Sequence, residues 1–140
     1  MGSRARVATV CTNRRCASTV EQNREQVLGL LDRMLVHKPD LVCLPEAFPT
    51  VSLPHANLEK ICEPVPGPTT EAAGKRAREH RCYIVCPLLT RRAGQFWNSA
   101  VVLDRGGGIA GMYDKVWPVT TTPDYTVLED GLTPGQDVPV

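Results

Sequence analysis

Apolar and polar positions along this chain change period several times, and each change marks an element. Residues 6–11 (RVATVC) alternate around two valines, which predicts an opening strand. From residue 19 to 37 the apolar positions Val20, Val27, Leu28, Leu30, Leu31, Met34 and Leu35 recur at helical spacing. Glu21, Arg24, Glu25, Asp32, Arg33 and Lys38 fall mostly on the other face, and Ser18 or Thr19, with Glu21 or Gln22 three residues on, supplies a capping box. Residues 40–44, between Pro39 and Pro45, form a short apolar run suited to a buried strand that ends by presenting Glu46. Strand, helix, strand implies a parallel pair joined by a right-handed crossover.

Residues 48–68 hold five prolines (49, 54, 64, 66 and 68), too many for a continuous helix or central strand, so a long loop is predicted with one short helical turn over 56–62. Its place beside Glu46 suits the wall of a substrate pocket. A second helix opens at Gly67-Pro68-Thr69-Thr70-Glu71 and ends near His80-Arg81, where Arg76, Arg78 and Arg81 suit its dipole. His80 then reads as a capping or surface residue. Residues 82–89 (CYIVCPLL) are apolar without a break and predict a strand buried on both faces. Residues 96–103 and 109–113 predict an antiparallel hairpin across Asp104-Arg105-Gly106-Gly107-Gly108, whose spacing fits no phosphate-binding loop. The second of these strands delivers Lys115.

Composition narrows the function. With 42% apolar and 22% charged residues in 140, the chain is an ordinary globular protein of one domain or part of one. A net charge of +1 offers no field for nucleic acid or an anionic membrane, so a small molecule is the expected partner. No apolar stretch approaches a membrane span or a signal core, which predicts a cytoplasmic protein. Six cysteines (11, 16, 43, 62, 82 and 86) lack a C-x-x-C pair and sit in apolar runs, predicting buried, reduced thiols and no metal site.

Two strand ends therefore present ionisable groups, Glu46 and Lys115. Pro45 and Phe48 flank the first, Trp117 and Pro118 the second, and such neighbours are expected to exclude water and perturb both groups.

Four segments carry a resemblance: LVCLPEAF, PGPTTE, NSAVVLDRGGGIAGMYDKVWP and EDGLTPG, in that order. Together they resemble the first half of a carbon-nitrogen hydrolase of the nitrilase superfamily, from Arg6 to Gln136. The resemblance implies an α/β fold, a nitrilase-like α-β-β-α sandwich of which residues 1–140 form the N-terminal part of one carbon-nitrogen hydrolase domain. It implies a Glu-Lys-Cys mechanism on amide, nitrile or carbamoyl substrates, without metal or cofactor, and homo-oligomers of the complete protein. Under it, Glu46 is the general base, Lys115 steadies the oxyanion and helps protonate the leaving amine, and Glu129 orients both.

The nucleophilic cysteine of such enzymes follows a further strand beyond the Pro-Gly turn, so it is expected beyond Val140 and this fragment alone is expected to be inactive. Cys43 reads as wall or core, and Cys62 lacks an activating neighbour in sequence. Without the second half, the sheet is expected to expose an edge and an apolar face. The alternative is an inactive half-domain acting as an interaction module with a complete homologue. Substrate choice falls to the loops 49–66 and 119–128, where Thr120, Thr121, Thr122 and Tyr125 suit a hydrogen-bonding substrate, and the length of the latter leaves the placement of Glu129 open.

Overall fold

The computed structural model describes residues 4–12, 17–53, 57–119 and 129–137. Its elements run β1 (Val7–Thr9), α1 (Val20–Leu35), β2 (Leu41–Cys43), a 3-10 turn (Phe48–Thr50), α2 (Leu58–Ile61), α3 (Pro68–His80), β3 (Tyr83–Arg92), β4 (Gln95–Leu103) and β5 (Ile109–Asp114). The five strands form one sheet in chain order, parallel from β1 to β3 and antiparallel from β3 to β5.

Helix α1 starts where its cap predicts. Thr19 Oγ1 accepts the Gln22 N–H at 3.2 Å, and Gln22 Oε1 accepts the Ser18 N–H at 3.0 Å. Its apolar stripe, Val27, Leu28, Leu31 and Leu35, is buried with Ala73 and Ala77 of α3 against Val42, Ile84, Cys86, Leu88, Val101 and Leu103 of the sheet. Both long helices thus cover one face. The bidentate pair of Arg76 with Asp32, at 2.6 and 2.9 Å, ties them together at the rim.

The glycine run between β4 and β5 does more than turn the chain. Gly107 (φ +83°) lies so close to Gly74 of α3 that a Cβ on either residue would come within 2.6 Å of the other's carbonyl oxygen. Backbone meets backbone there, which only glycine permits.

Several expectations change. The first two strands are shorter than predicted because pairing ends at Thr9 and Cys43. Strand β3 is longer, continuing through Thr90, Arg91 and Arg92, and it joins β4 through a tight Ala93-Gly94 turn with both residues at positive φ (47° and 75°). Nor is β3 buried on both faces. Ile84, Cys86 and Leu88 are covered by the helices, whereas Tyr83 is 39% exposed and Val85 and Pro87 are half-buried on the other side. An unbroken apolar run here marks a strand with one covered face and one left open.

The proline-rich stretch is also more ordered than a simple pocket wall. Phe48, Pro49 and Thr50 are buried, and Phe48 belongs to the helix-side core. Further on, Glu63 N–H donates to Leu89 O at 3.0 Å and Glu63 O accepts from Arg91 N at 2.9 Å. Beyond the end of β2, this residue continues the ladder as the parallel neighbour of β3.

Among the described residues five cysteines are free. Cys62, Cys82 and Cys86 are buried as expected, Cys43 is half-buried, and Cys11 is exposed, contrary to expectation, because β1 is the sheet's edge. Cys16 lies outside the described residues. No helix among the described residues is long and apolar enough to cross a membrane, and no group of His, Cys, Asp and Glu among them is arranged to hold a metal ion.

Candidate active site

Strand β2 is paired on both sides, so its end is fixed by Val10 N–H to Cys43 O and Leu44 N–H to Val85 O, both 3.0 Å. Pro45 then releases the chain from the ladder, and Glu46 projects with 63% of its side chain exposed. The next residue, Ala47, is left-handed (φ 46°), and its carbonyl accepts both the Thr50 N–H and hydroxyl at 2.9 Å, bending Phe48 back into the core. One carboxylate is thus aimed outward while its neighbour anchors the turn.

Strand β5 ends similarly. Lys115 N–H donates to Asn98 O on β4 at 2.8 Å, and Lys115 O accepts the Gly135 N–H at 2.9 Å. A Cβ on Gly135 would meet Asp114 O at 2.2 Å, so the Pro-Gly turn fits against β5 only as glycine. That turn holds the segment carrying Glu129, whose own carbonyl accepts the Leu132 N–H at 3.1 Å. Leu132 packs with Cys62 and Leu89 in a second apolar cluster beneath the site.

The three residues singled out by sequence converge. Lys115 Nζ lies 3.0 Å from Glu46 Oε1 and 2.9 and 3.1 Å from the two oxygens of Glu129. Glu129 is the more enclosed carboxylate, with 12% of its side chain exposed, and it also accepts the Val119 N–H. Burial alone would raise its pKa, but the Val119 amide, Lys115 and Asn98 outweigh that and hold it below the ordinary glutamate value. Burial pulls Lys115 the other way from its two carboxylate partners, which prevail and raise it above the ordinary lysine value. Lys115 is therefore a cation at neutral pH.

The sequence missed one contributor. Asn98, on β4 and 6% exposed, donates from Nδ2 to Glu46 Oε1 at 2.8 Å and to Glu129 Oε1 at 2.7 Å. The signal was the polar pair Asn98-Ser99 inside the apolar run of residues 96–103.

The expected dry flanks are only half present. Phe48 serves the core on the helix side, and Trp117 is 85% exposed, so Glu46 is open to solvent. The reason is geometric: Asn98 pairs across β3 and β4 with Leu89, which faces away from the main core, placing the cluster on the side of the sheet that α1 and α3 leave bare. Residues 120–128, including the threonines and Tyr125 read as substrate contacts, lie outside the described residues. Glu129 is in reach of Lys115 whatever that segment's length.

Two of the cysteines are unsuited to act as nucleophiles: desolvation pushes the Cys62 thiol up to about 12, and Cys86, buried under the helices, is likewise pushed up to about 12.

Solved structures share this architecture. An amidase of the nitrilase superfamily from Nesterenkonia AN1 superposes with a TM-score of 0.72 at 19% identity, over 98% of this chain and 50% of that one. An N-terminal amidase gives 0.69 at 22% identity, over 81% and 28%. A carbon-nitrogen hydrolase from Helicobacter pylori G27 gives 0.63 at 24% identity, over 87% and 42%. The chain thus spans half or less of the length of these proteins. No curated protein sequence matches it significantly. The family model for carbon-nitrogen hydrolases, however, matches residues 6–140, and with the sheet and its end-of-strand cluster this places the chain in the carbon-nitrogen hydrolase family.

Proposed function

We propose that this chain carries the acid-base half of a thiol hydrolase acting on non-peptide carbon-nitrogen bonds in amide, nitrile or carbamoyl substrates. The observation that carries this reading is the Lys115 ammonium held between Glu46 and Glu129 on the open side of the sheet. Both bonds to Glu46 land on Oε1, and among the described residues its Oε2 has no partner. Since Lys115 stays protonated and Glu129 is saturated with donors, Glu46 is the group placed to accept a proton.

The nucleophile in this reading is a cysteine supplied from outside the described residues, approaching the bare side of the sheet. Its thiol proton passes to Glu46 as sulfur attacks the carbonyl carbon, and Lys115 stabilises the resulting oxyanion. Collapse breaks the C–N bond, the proton leaves with the amine, and water cleaves the thioester. Glu129 keeps Lys115 aligned. The names of the structural relatives, two of them amidases, favour amides among the possible substrates.

The test is ammonia release from a panel of small amides and nitriles by the complete gene product. Glu46→Gln should lower kcat by about 100-fold or more, and Lys115→Ala by a similar factor. Equal turnover by Glu46→Gln would remove Glu46 as the base, and no turnover by the wild type would favour a half-domain that acts through its open face, where Val7 and Tyr83 are 58% and 39% exposed.

A further inference from the structure

The proton-accepting and cation-holding groups come from three separate segments, and a flexible lysine cannot by itself fix their separation. Its ammonium is a rotating point charge on a four-carbon stem, which attracts both carboxylates from many geometries. A planar amide differs, because the angle between its two N–H bonds is set by covalent structure. Asn98 spends one N–H on each carboxylate.

The contacts close a ring of alternating donors and acceptors. It runs from Glu46 Oε1 to Asn98 Nδ2 (2.8 Å), to Glu129 Oε1 (2.7 Å), to Lys115 Nζ (2.9 Å) and back to Glu46 Oε1 (3.0 Å). The amide orientation follows from chemistry, since two carboxylates can only accept and an amide oxygen turned toward them would be repelled. The backbone of Asn98 is fixed as well: it lies in the β3–β4 ladder opposite Leu89, and its carbonyl accepts the Lys115 N–H at 2.8 Å. One residue, 6% exposed, touches all three members of the cluster.

We propose that Asn98 is the positioning residue of this site, setting the separation of Glu46 and Glu129 and the place of Lys115 between them. This rests on the functional reading above but has its own readout. The charged groups facing Glu129 are Lys115, beyond β5, and Glu46, beyond β2. Loss of the amide donor removes one of the bonds that keep Glu129 low, and replacement by a third carboxylate adds repulsion to that loss.

The experiment pairs Asn98→Leu, which keeps the approximate shape without a donor, with Asn98→Asp, which keeps the shape and adds charge. Carbon-13 titration of the Glu129 carboxyl in the 140-residue chain should move to higher pH in the leucine variant and further in the aspartate variant. In the complete gene product both should lose about tenfold or more in kcat with little change in KM, and the acid limb of the pH profile should move up. A folded variant whose Glu129 titrates as in the wild type overturns the proposal. So does loss of the fold in both variants, which would assign Asn98 a purely structural role. A shifted titration without any amide hydrolysis leaves the positioning role intact and rejects the hydrolase reading; hydrolysis with an unshifted titration does the reverse.

Discussion

Glu46 and Glu63 are both carboxylates paired with a cation, but their surroundings assign them opposite work. Glu63 accepts the Thr69 N–H at 2.8 Å and the Thr69 hydroxyl at 2.6 Å at the start of α3, and Arg24 of α1 at 3.1 Å, with only 9% of its side chain exposed. Its donors come from both long helices, so its charge joins α1 and α3 to the loop that extends the sheet. Glu46 has two donors on one oxygen and 63% exposure. A carboxylate enclosed by donors is an anchor, whereas Glu46, whose Oε2 has no partner among the described residues, fits the proton-accepting role proposed for it.

Mutation of each should separate these roles. Glu63→Ala strands Arg24 and the first N–H groups of α3 in a covered site and should lower the unfolding free energy by about 3 kcal/mol. Glu46→Gln should change it by less than about 0.5 kcal/mol, because the pair with Lys115 is solvent-exposed. Denaturant unfolding of the two variants measures both, and equal losses would break the distinction.

A subtler contrast lies in pH. Glu129 is held below the ordinary glutamate value, so its contribution is present above that value and is lost as pH falls through the lowered one. Lys115 is held above the ordinary lysine value, so its contribution is present below that value and is lost as pH rises through the raised one. Between these limits the cluster should not titrate through Lys115. The Lys115 side chain should titrate only above the ordinary lysine value of about 10.4, and a midpoint at or below that value would mean the carboxylates do not hold it.

A modest effect of opposite sign should come from the turn after Glu46. Ala47 occupies the left-handed region at φ 46°, which costs an L-residue about 1 kcal/mol and glycine almost nothing. Ala47→Gly should therefore raise stability by up to about 1 kcal/mol. A net loss would show instead that the alanine methyl matters more through its packing against the Cys62, Leu89 and Leu132 cluster.

The sequence by itself determined the local elements and which ionisable groups they present. Thr19 and its partner Gln22 set the start of α1, Pro45 kept the β2 ladder from continuing to Glu46, the glycine turn made β4 and β5 a hairpin, and motif order pointed to Lys115 and Glu129. These are properties of neighbouring residues, readable from spacing and turn chemistry.

Only the tertiary structure decided what those residues meet. The Asn98 bond to Glu46 spans 52 residues and the Lys115 bond to Glu46 spans 69, so both depend on how the strands register across the sheet. The same register placed the cluster on the bare face, and Trp117 lies in solvent where its apolar character had suggested a flank that excludes water. It also enclosed Cys62 and satisfied Glu63, giving two reactive residue types structural places. Residue type states what a side chain can do, and burial together with long-range hydrogen bonding determines which of those capacities is left free.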